Sequence, residues 1–130
     1  MTSLKNKRIL ITGASSGLGK TLAFEFAKKG AALTLAARRI NELEKITESI
    51  HYAYPKITIP LAVSCDVTNQ ENVRQIVTDS IQKFGSIDML INNAGIGAYG
   101  NTERTTMEDF RNIMNVNFFG AIHCITEILP

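Results

Sequence analysis

Tryptophan is missing from this 130-residue chain, and cysteine is scarce, with only Cys65 and Cys124. The two thiols stand at no motif spacing, so they read as buried free thiols in a reducing cytoplasm. Charge of one sign is also scarce. A net charge of +2 gives no electrostatic reason to expect a nucleic-acid or membrane partner. No apolar run approaches the ~20 residues of a transmembrane helix. The first strand pattern begins at Arg8, which leaves no room for a cleavable signal peptide. The expected setting is therefore cytoplasmic. No repeat, low-complexity tract or linker interrupts the chain, and no metal site is expected. His51 and His123 are isolated and receive no role. What remains, 45% hydrophobic and 20% charged residues, is ordinary for one globular domain.

The chain is organised around Ile9-Leu10-Ile11-Thr12-Gly13-Ala14-Ser15-Ser16-Gly17-Leu18-Gly19-Lys20. An apolar run leads into a glycine-rich turn, and the turn leads into a helical pattern. Gly13 lets the chain leave the strand sharply. Gly17 and Gly19 let backbone approach a ligand or a neighbouring strand. The N–H groups of a helix N-terminus have no partner there and carry partial positive charge, which suits a phosphate. The turn reads as a diphosphate seat, although glycine turns also serve purely steric ends. A second pattern overlaps it. Ala14-x-x-x-x-Gly19-Lys20-Thr21 is one residue from the phosphate loop of nucleoside-triphosphate hydrolases, where Lys20 would reach phosphate and Thr21 would hold Mg²⁺.

Periodicity predicts strands at Arg8 to Thr12, Ala32 to Ala37, about Pro60 to Cys65, and Ile87 to Asn92. Helices alternate with them. The first runs from about Gly17 to Lys29, with Leu18, Leu22, Ala23, Phe26 and Ala27 at helical spacing. The second carries Leu43, Ile46 and Ile50 and stops at Pro55. The third carries Val73, Ile76, Val77, Ile81 and Phe84. The last runs from near Thr105 toward Pro130. Capping boxes are predicted at Asn41-x-x-Glu44, Thr68-x-x-Glu71 and Thr105-x-x-Glu108. Short, unalternating apolar strands separated by helices predict a parallel sheet covered on both faces, an α/β fold of the Rossmann type. The expected strand order is 3-2-1-4, with a ligand at the carboxyl ends where the order reverses.

Three more stretches fall at strand ends. After the second strand comes Ala37-Arg38-Arg39. An acidic residue there would hydrogen-bond a ribose 2′-hydroxyl, whereas a guanidinium binds a 2′-phosphate through several donors. The implied cofactor is NADP(H), through Arg38 and, less directly, Arg39. Two solvated arginines ahead of a helix are the plainer reading. After the third strand, Asp66 can accept from an adenine amino group and Val67 can pack on the ring. Asp66 can equally help to cap the helix that follows. After the fourth strand comes Asn92-Asn93-Ala94-Gly95. Its amides can tie strand ends together, and its small residues leave room for a cofactor.

Thr12-Gly13-Ala14-Ser15-Ser16-Gly17-Leu18-Gly19, Asp66-Val67, Asn92-Asn93-Ala94-Gly95 and Asn115-Val116-Asn117-Phe118-Phe119-Gly120 resemble the successive motifs of the short-chain dehydrogenase/reductase family. The resemblance covers the whole chain in the family's order and spacing. It implies an NADP(H)-dependent interconversion of a carbonyl and an alcohol by hydride transfer. It implies cofactor contacts from Thr12, Gly13, Ser15, Ser16, Gly17, Leu18, Gly19, Arg38, Arg39, Asp66, Val67, Asn93, Ala94, Gly95 and Val116. Asn117 matches the family's catalytic asparagine, whose backbone carbonyl holds a water in a proton relay. That role bends the helix locally, and Gly120 is expected to make the bend cheap. The resemblance also implies a small-molecule substrate and a homo-oligomer at full length. It argues against the triphosphatase.

The family's chemistry further needs a serine on a fifth strand and Tyr-x-x-x-Lys on the next helix. Residues 1–130 are expected to be the NADP-binding half of the domain, ending before that strand and inactive alone. A non-catalytic dinucleotide-binding module or an inactive fragment is the alternative. Tyr52-Ala53-Tyr54-Pro55-Lys56 matches Tyr-x-x-x-Lys literally, but Pro55 breaks the helix that would put both side chains on one face. The segment Ile96 to Thr105 borders the expected pocket. The last helix is expected to leave part of its apolar face exposed.

Overall fold

Four short apolar runs, each able to bury both faces, form one parallel sheet. The computed structural model describes residues 3–130. The strands are β1 (Arg8–Thr12), β2 (Ala32–Ala37), β3 (Leu61–Ser64) and β4 (Met89–Ile91). Their order is β3-β2-β1-β4, as the pattern predicts. β1 is central, with Ile9 beside Leu33 on one side and Met89 on the other. Three helices follow the first three strands: α1 (Gly17–Lys28), α2 (Ile40–Ala53) and α3 (Gln70–Phe84). The last helical stretch is α4 (Met107–Met114), a π-helical turn (Asn115–Phe119) and α5 (Gly120–Ile128).

Successive strand residues feed opposite cores. Ile9, Ile11, Leu33 and Leu35 pack with Ala23 and Ala27 of α1 and Leu43, Ile46 and Ile50 of α2. Leu10 and Ala36 point the other way, toward Val73, Ile76 and Val77 of α3 and Cys124 of α5. On that second side Thr34 meets Ser80, and their buried hydroxyls lie 2.7 Å apart. Each satisfies the other, which removes the cost of burying either alone. At the amino ends of the strands Arg8 and Asp88 form a two-pronged ion pair at 2.7 and 2.8 Å.

Several local expectations are corrected. Leu18 is 66% exposed, so it does not belong to the core face of α1. Ile81 is exposed too, and Ser80 takes the inward position instead. Asn41 lies inside α2 and caps nothing; the N-cap is Arg39. α3 is capped by Asn69, whose Oδ1 accepts from Asn72 N at 3.1 Å. Thr68 instead donates its amide and hydroxyl to Asp66 Oδ1, at 3.0 and 2.8 Å. The last capping box exists one residue on, between Thr106 and Asp109. α2 ends at Ala53, before Pro55, and Tyr52 is fully in solvent, as the rejection of Tyr52–Lys56 requires.

α4 buries no residue, and α5 buries only Gly120 and Cys124. Phe110, Met114, Phe118, Phe119, Ile122 and Ile125 are exposed, in line with an unpartnered apolar face. No helix among the described residues is long and apolar enough to cross a membrane.

Two outcomes follow from these contacts. Thr34→Val should lower stability by about 1–3 kcal/mol, because it strands the Ser80 hydroxyl. Adding Ser80→Ala should recover part of that loss in urea denaturation; strictly additive losses would contradict the pairing. The Thr68 donors, with the Arg38 charge nearby, hold the Asp66 carboxyl below its ordinary value of 3.8. A lowered folded-state value means the stabilisation is complete above pH 3.8 and fades as pH falls through the lowered value. The Thr68 amide resonance should therefore titrate with a midpoint below 3.8, and a midpoint at or above it would contradict the bond.

Candidate cofactor cleft

The carboxyl ends of all four strands open into one cleft of about 670 Å³. Its floor is set by the junction of β1 and β4. Thr12 is buried, and its Oγ1 accepts from the amides of Asn93 and Ala94, both at 3.1 Å. The Asn93 side-chain amide donates back to Thr12 O at 3.2 Å and Gly13 O at 3.0 Å. This reciprocal exchange continues the sheet's pairing past its last ladder bond. Gly13, at φ +63°, turns the chain above it. A Cβ there would lie 2.7 Å from Ala94 Cα, so only glycine lets the turn close on the neighbouring strand end. Gly19 is confined in the same way by Gly13 O and the Asn93 amide.

The glycine turn delivers Ser15 and Ser16 to the cleft. Ser16 is the N-cap of α1, but its side chain makes no cap bond, and the first turn holds no acidic residue. The first N–H groups of α1 are thus free of side-chain partners, the arrangement that suits an anion. Leu18 lies at the cleft wall. Across from it, the exposed Arg38 and Arg39 border the cleft, and an Arg39 guanidinium nitrogen donates to Ser15 Oγ at 3.3 Å. Asp66, Val67 and Val116 line it too, with Asn93 to Gly95 at the floor, and Val116 packs on the cluster that includes Val67.

The structure therefore brings twelve of the sixteen predicted site residues to one cleft, while Thr12, Gly17, Gly19 and Asn117 do not line it. Thr12 and Gly19 act beneath it. Gly17 has nothing within 4 Å of where a Cβ would stand, so it makes no close approach to a neighbouring strand. Asn117 sits in the π-helical turn, where the regular helical ladder is interrupted. Its side chain clamps the β4–α4 loop: Oδ1 accepts from Ile96 N and Nδ2 donates to Ile96 O, both at 2.8 Å. A π turn stands where the bend was expected, and Gly120 has a packing role. A Cβ on Gly120 would lie 2.6 Å from Val67 Cγ2, so the glycine permits close packing there.

Cys65, Thr68 and Asn112 also line the cleft without an expected role in it, and Ala37, Ile96 and Asn115, which lie in stretches the sequence had placed at or beside the pocket, line it too. Asn112 and Asn115, three residues apart on one helical face, were the ones a spacing argument could have found. A second hollow of about 650 Å³ adjoins the cleft, bordered by the 96–105 segment and by Asn112. The thiol of Cys65 is pushed up to about 12 and that of Cys124 to about 11, chiefly by burial, so neither is a nucleophile at neutral pH. The triphosphatase geometry is not met. The Thr21 hydroxyl donates to Gly17 O at 3.1 Å, inside α1, and neither Lys20 nor Thr21 reaches the cleft.

The short chain dehydrogenase family matches residues 7–130. The chain is 39% identical to 11-beta-hydroxysteroid dehydrogenase 1A of Arabidopsis thaliana, over 98% of this chain and 36% of that protein. It is 36% identical to an uncharacterized oxidoreductase of Listeria monocytogenes, over 98% of this chain and 50% of that protein. Among solved structures, the 3-ketoacyl-(acyl-carrier-protein) reductase of Brucella melitensis, complexed with NADH, superposes with a TM-score of 0.90 at 36% identity. That match covers 98% of this chain and 50% of the other. A short chain dehydrogenase/reductase of Burkholderia phymatum in complex with NAD gives 0.89 at 29% identity, over 98% and 44%. The chain thus spans half or less of the length of these relatives. With a family match over nearly all of its length and the same fold at the same strand order, the chain belongs to the short-chain dehydrogenase/reductase family of oxidoreductases.

Proposed function

We propose that these residues form the NADP-binding part of an oxidoreductase that interconverts a carbonyl and an alcohol. The observation that carries the reading is the charge at the end of β2. Two exposed arginines border the cleft where a carboxylate would select NAD, and Ala37 stands in that carboxylate's place. Arg38 would pair with the 2′-phosphate, and Arg39, already bonded to Ser15, would flank it. Ser15, Ser16 and the first turn of α1 would seat the diphosphate. Asp66 would accept from the adenine amino group while Val67 packs on the ring. Asn93, Ala94 and Gly95 would bound the ribose.

When bound, the nicotinamide supplies or accepts the hydride. This chain's residues bind and orient. Asn117, through its backbone carbonyl, would hold a water of the proton relay, and its side chain fixes the loop beside it. The acid–base tyrosine and its lysine do not come from Tyr52 and Lys56, which flank a helix end rather than share a helical face. We expect residues 1–130 alone to bind dinucleotide without turnover. The proposed substrate is a small carbonyl or alcohol beside the 96–105 segment. The proposed setting is the cytoplasm, with self-association of the intact protein.

Arg38→Asp should lower the affinity ratio of NADP to NAD by roughly ten- to a hundred-fold, the effect of 1.5–3 kcal/mol for hydrogen bonds to a charged group. Calorimetric titration with both dinucleotides reads it, and an unchanged ratio would contradict the 2′-phosphate assignment. Lys20→Ala should leave dinucleotide affinity within about two-fold, since the exposed Lys20 does not reach the cleft. Magnesium-dependent hydrolysis of a nucleoside triphosphate that this substitution abolishes would contradict the reading.

A further inference from the structure

The β3–α3 loop forms the adenine wall of the cleft, and it lacks the sheet's support. β3 ends at Ser64 and α3 begins at Gln70, so residues 65–69 belong to neither. Most of the loop is nevertheless tied down. Cys65 N donates to Ala37 O at 2.9 Å, Asp66 N to Asn72 Oδ1 at 3.2 Å, and Thr68 N to Asp66 Oδ1 at 3.0 Å. The carbonyl of Val67 differs. Among the described residues no backbone amide outside regular elements reaches it, and its partner is His123 Nδ1 at 2.9 Å. A carbonyl only accepts, so the imidazole carries its proton on Nδ1.

His123 is not alone in holding Val67. Gly120, His123 and Cys124 fall at helical positions i, i+3 and i+4, on one face of α5. Gly120 admits the Val67 side chain, and Cys124 shares its buried cluster. Val67 is thus gripped by α5 from behind while it forms part of the cleft wall. The same helical stretch also holds Ile96, another lining residue, through Asn117.

We infer that His123 is a positioning residue for the adenine end of the cleft: its Nδ1–H fixes the Val67 carbonyl and so holds the wall on which the base packs. This rests on the reading of the cleft as a dinucleotide site. His123 does not itself line the cleft, and its ring bonds Val67. Its loss should loosen adenosine binding and leave the chemical step alone.

Three variants separate the roles of the ring. In His123→Asn the amide nitrogen can stand where Nδ1 stands. In His123→Gln it stands nearer the place of Nε2, and His123→Leu has no donor. In the intact protein, His123→Leu and His123→Gln should weaken adenosine 2′,5′-bisphosphate binding about five-fold, the effect of one hydrogen bond. His123→Asn should stay within about two-fold of the wild type. Nicotinamide mononucleotide affinity, and kcat at saturating cofactor, should not move in any of them. Equal affinity of the leucine variant and the wild type would overturn the inference. So would equal affinity of the asparagine and glutamine variants, a comparison that decides the matter if the leucine variant does not fold. An Nε2–H tautomer of His123 in nitrogen-15 NMR would overturn it independently of any ligand. A wild-type protein that does not bind adenosine 2′,5′-bisphosphate, with the Nδ1–H tautomer present, would instead sink the reading of the cleft, and the positioning role with it.

Discussion

The exchange of hydrogen bonds between Thr12 and Asn93 is the constraint on which the site depends. Parallel strands stop pairing where their chains turn away, and β1 and β4 turn away at the point where a ligand must lie. The Thr12 hydroxyl accepts from the amides of Asn93 and Ala94, and the Asn93 side-chain amide donates to the carbonyls of Thr12 and Gly13. The two side chains thus lock the ends of neighbouring strands to each other. The glycine turn can then close over Asn93 only because Gly13 and Gly19 lack a Cβ. The cleft floor is held by the chain's own bonds, which reduces the ordering cost of binding.

The long helical stretch from Met107 to Ile128 has a second organising role. It packs weakly along its length, yet it fastens two lining residues of the cleft. Asn117 holds Ile96, and His123 with Gly120 holds Val67. The π-helical turn carries the first grip, Asn117, and α5, which carries the second, begins directly after it.

The fold was legible in the sequence because short apolar runs separated by helical periodicity admit few arrangements. The strand order followed from those runs and the handedness of the connections. Ser15, Ser16, Arg38 and Asp66 could be placed at the cleft because each stands within a few residues of a strand's carboxyl end. Thr12 was singled out as a cofactor contact, and Gly19 as either that or a close approach to a neighbouring strand; both lie beneath the floor, and a sequence does not tell a residue that builds a floor from one that lines it. The capping residues were misplaced by one position at α3 and α4, where Thr, Asn and Asp follow one another and compete for the same amides. His123 and the side chain of Asn117 were illegible. Their partners are backbone atoms of Val67 and Ile96, 56 and 21 residues away, and no spacing rule reaches that far.

The most direct measurement is a map of backbone amide shifts in the intact protein as NADP is added. Residues 13–18, 38–39, 66–68 and 93–96 should shift together, at one common midpoint, with NAD producing the same map at weaker affinity. Shifts confined to other surfaces, or none at saturating dinucleotide, would contradict the assignment of the cleft.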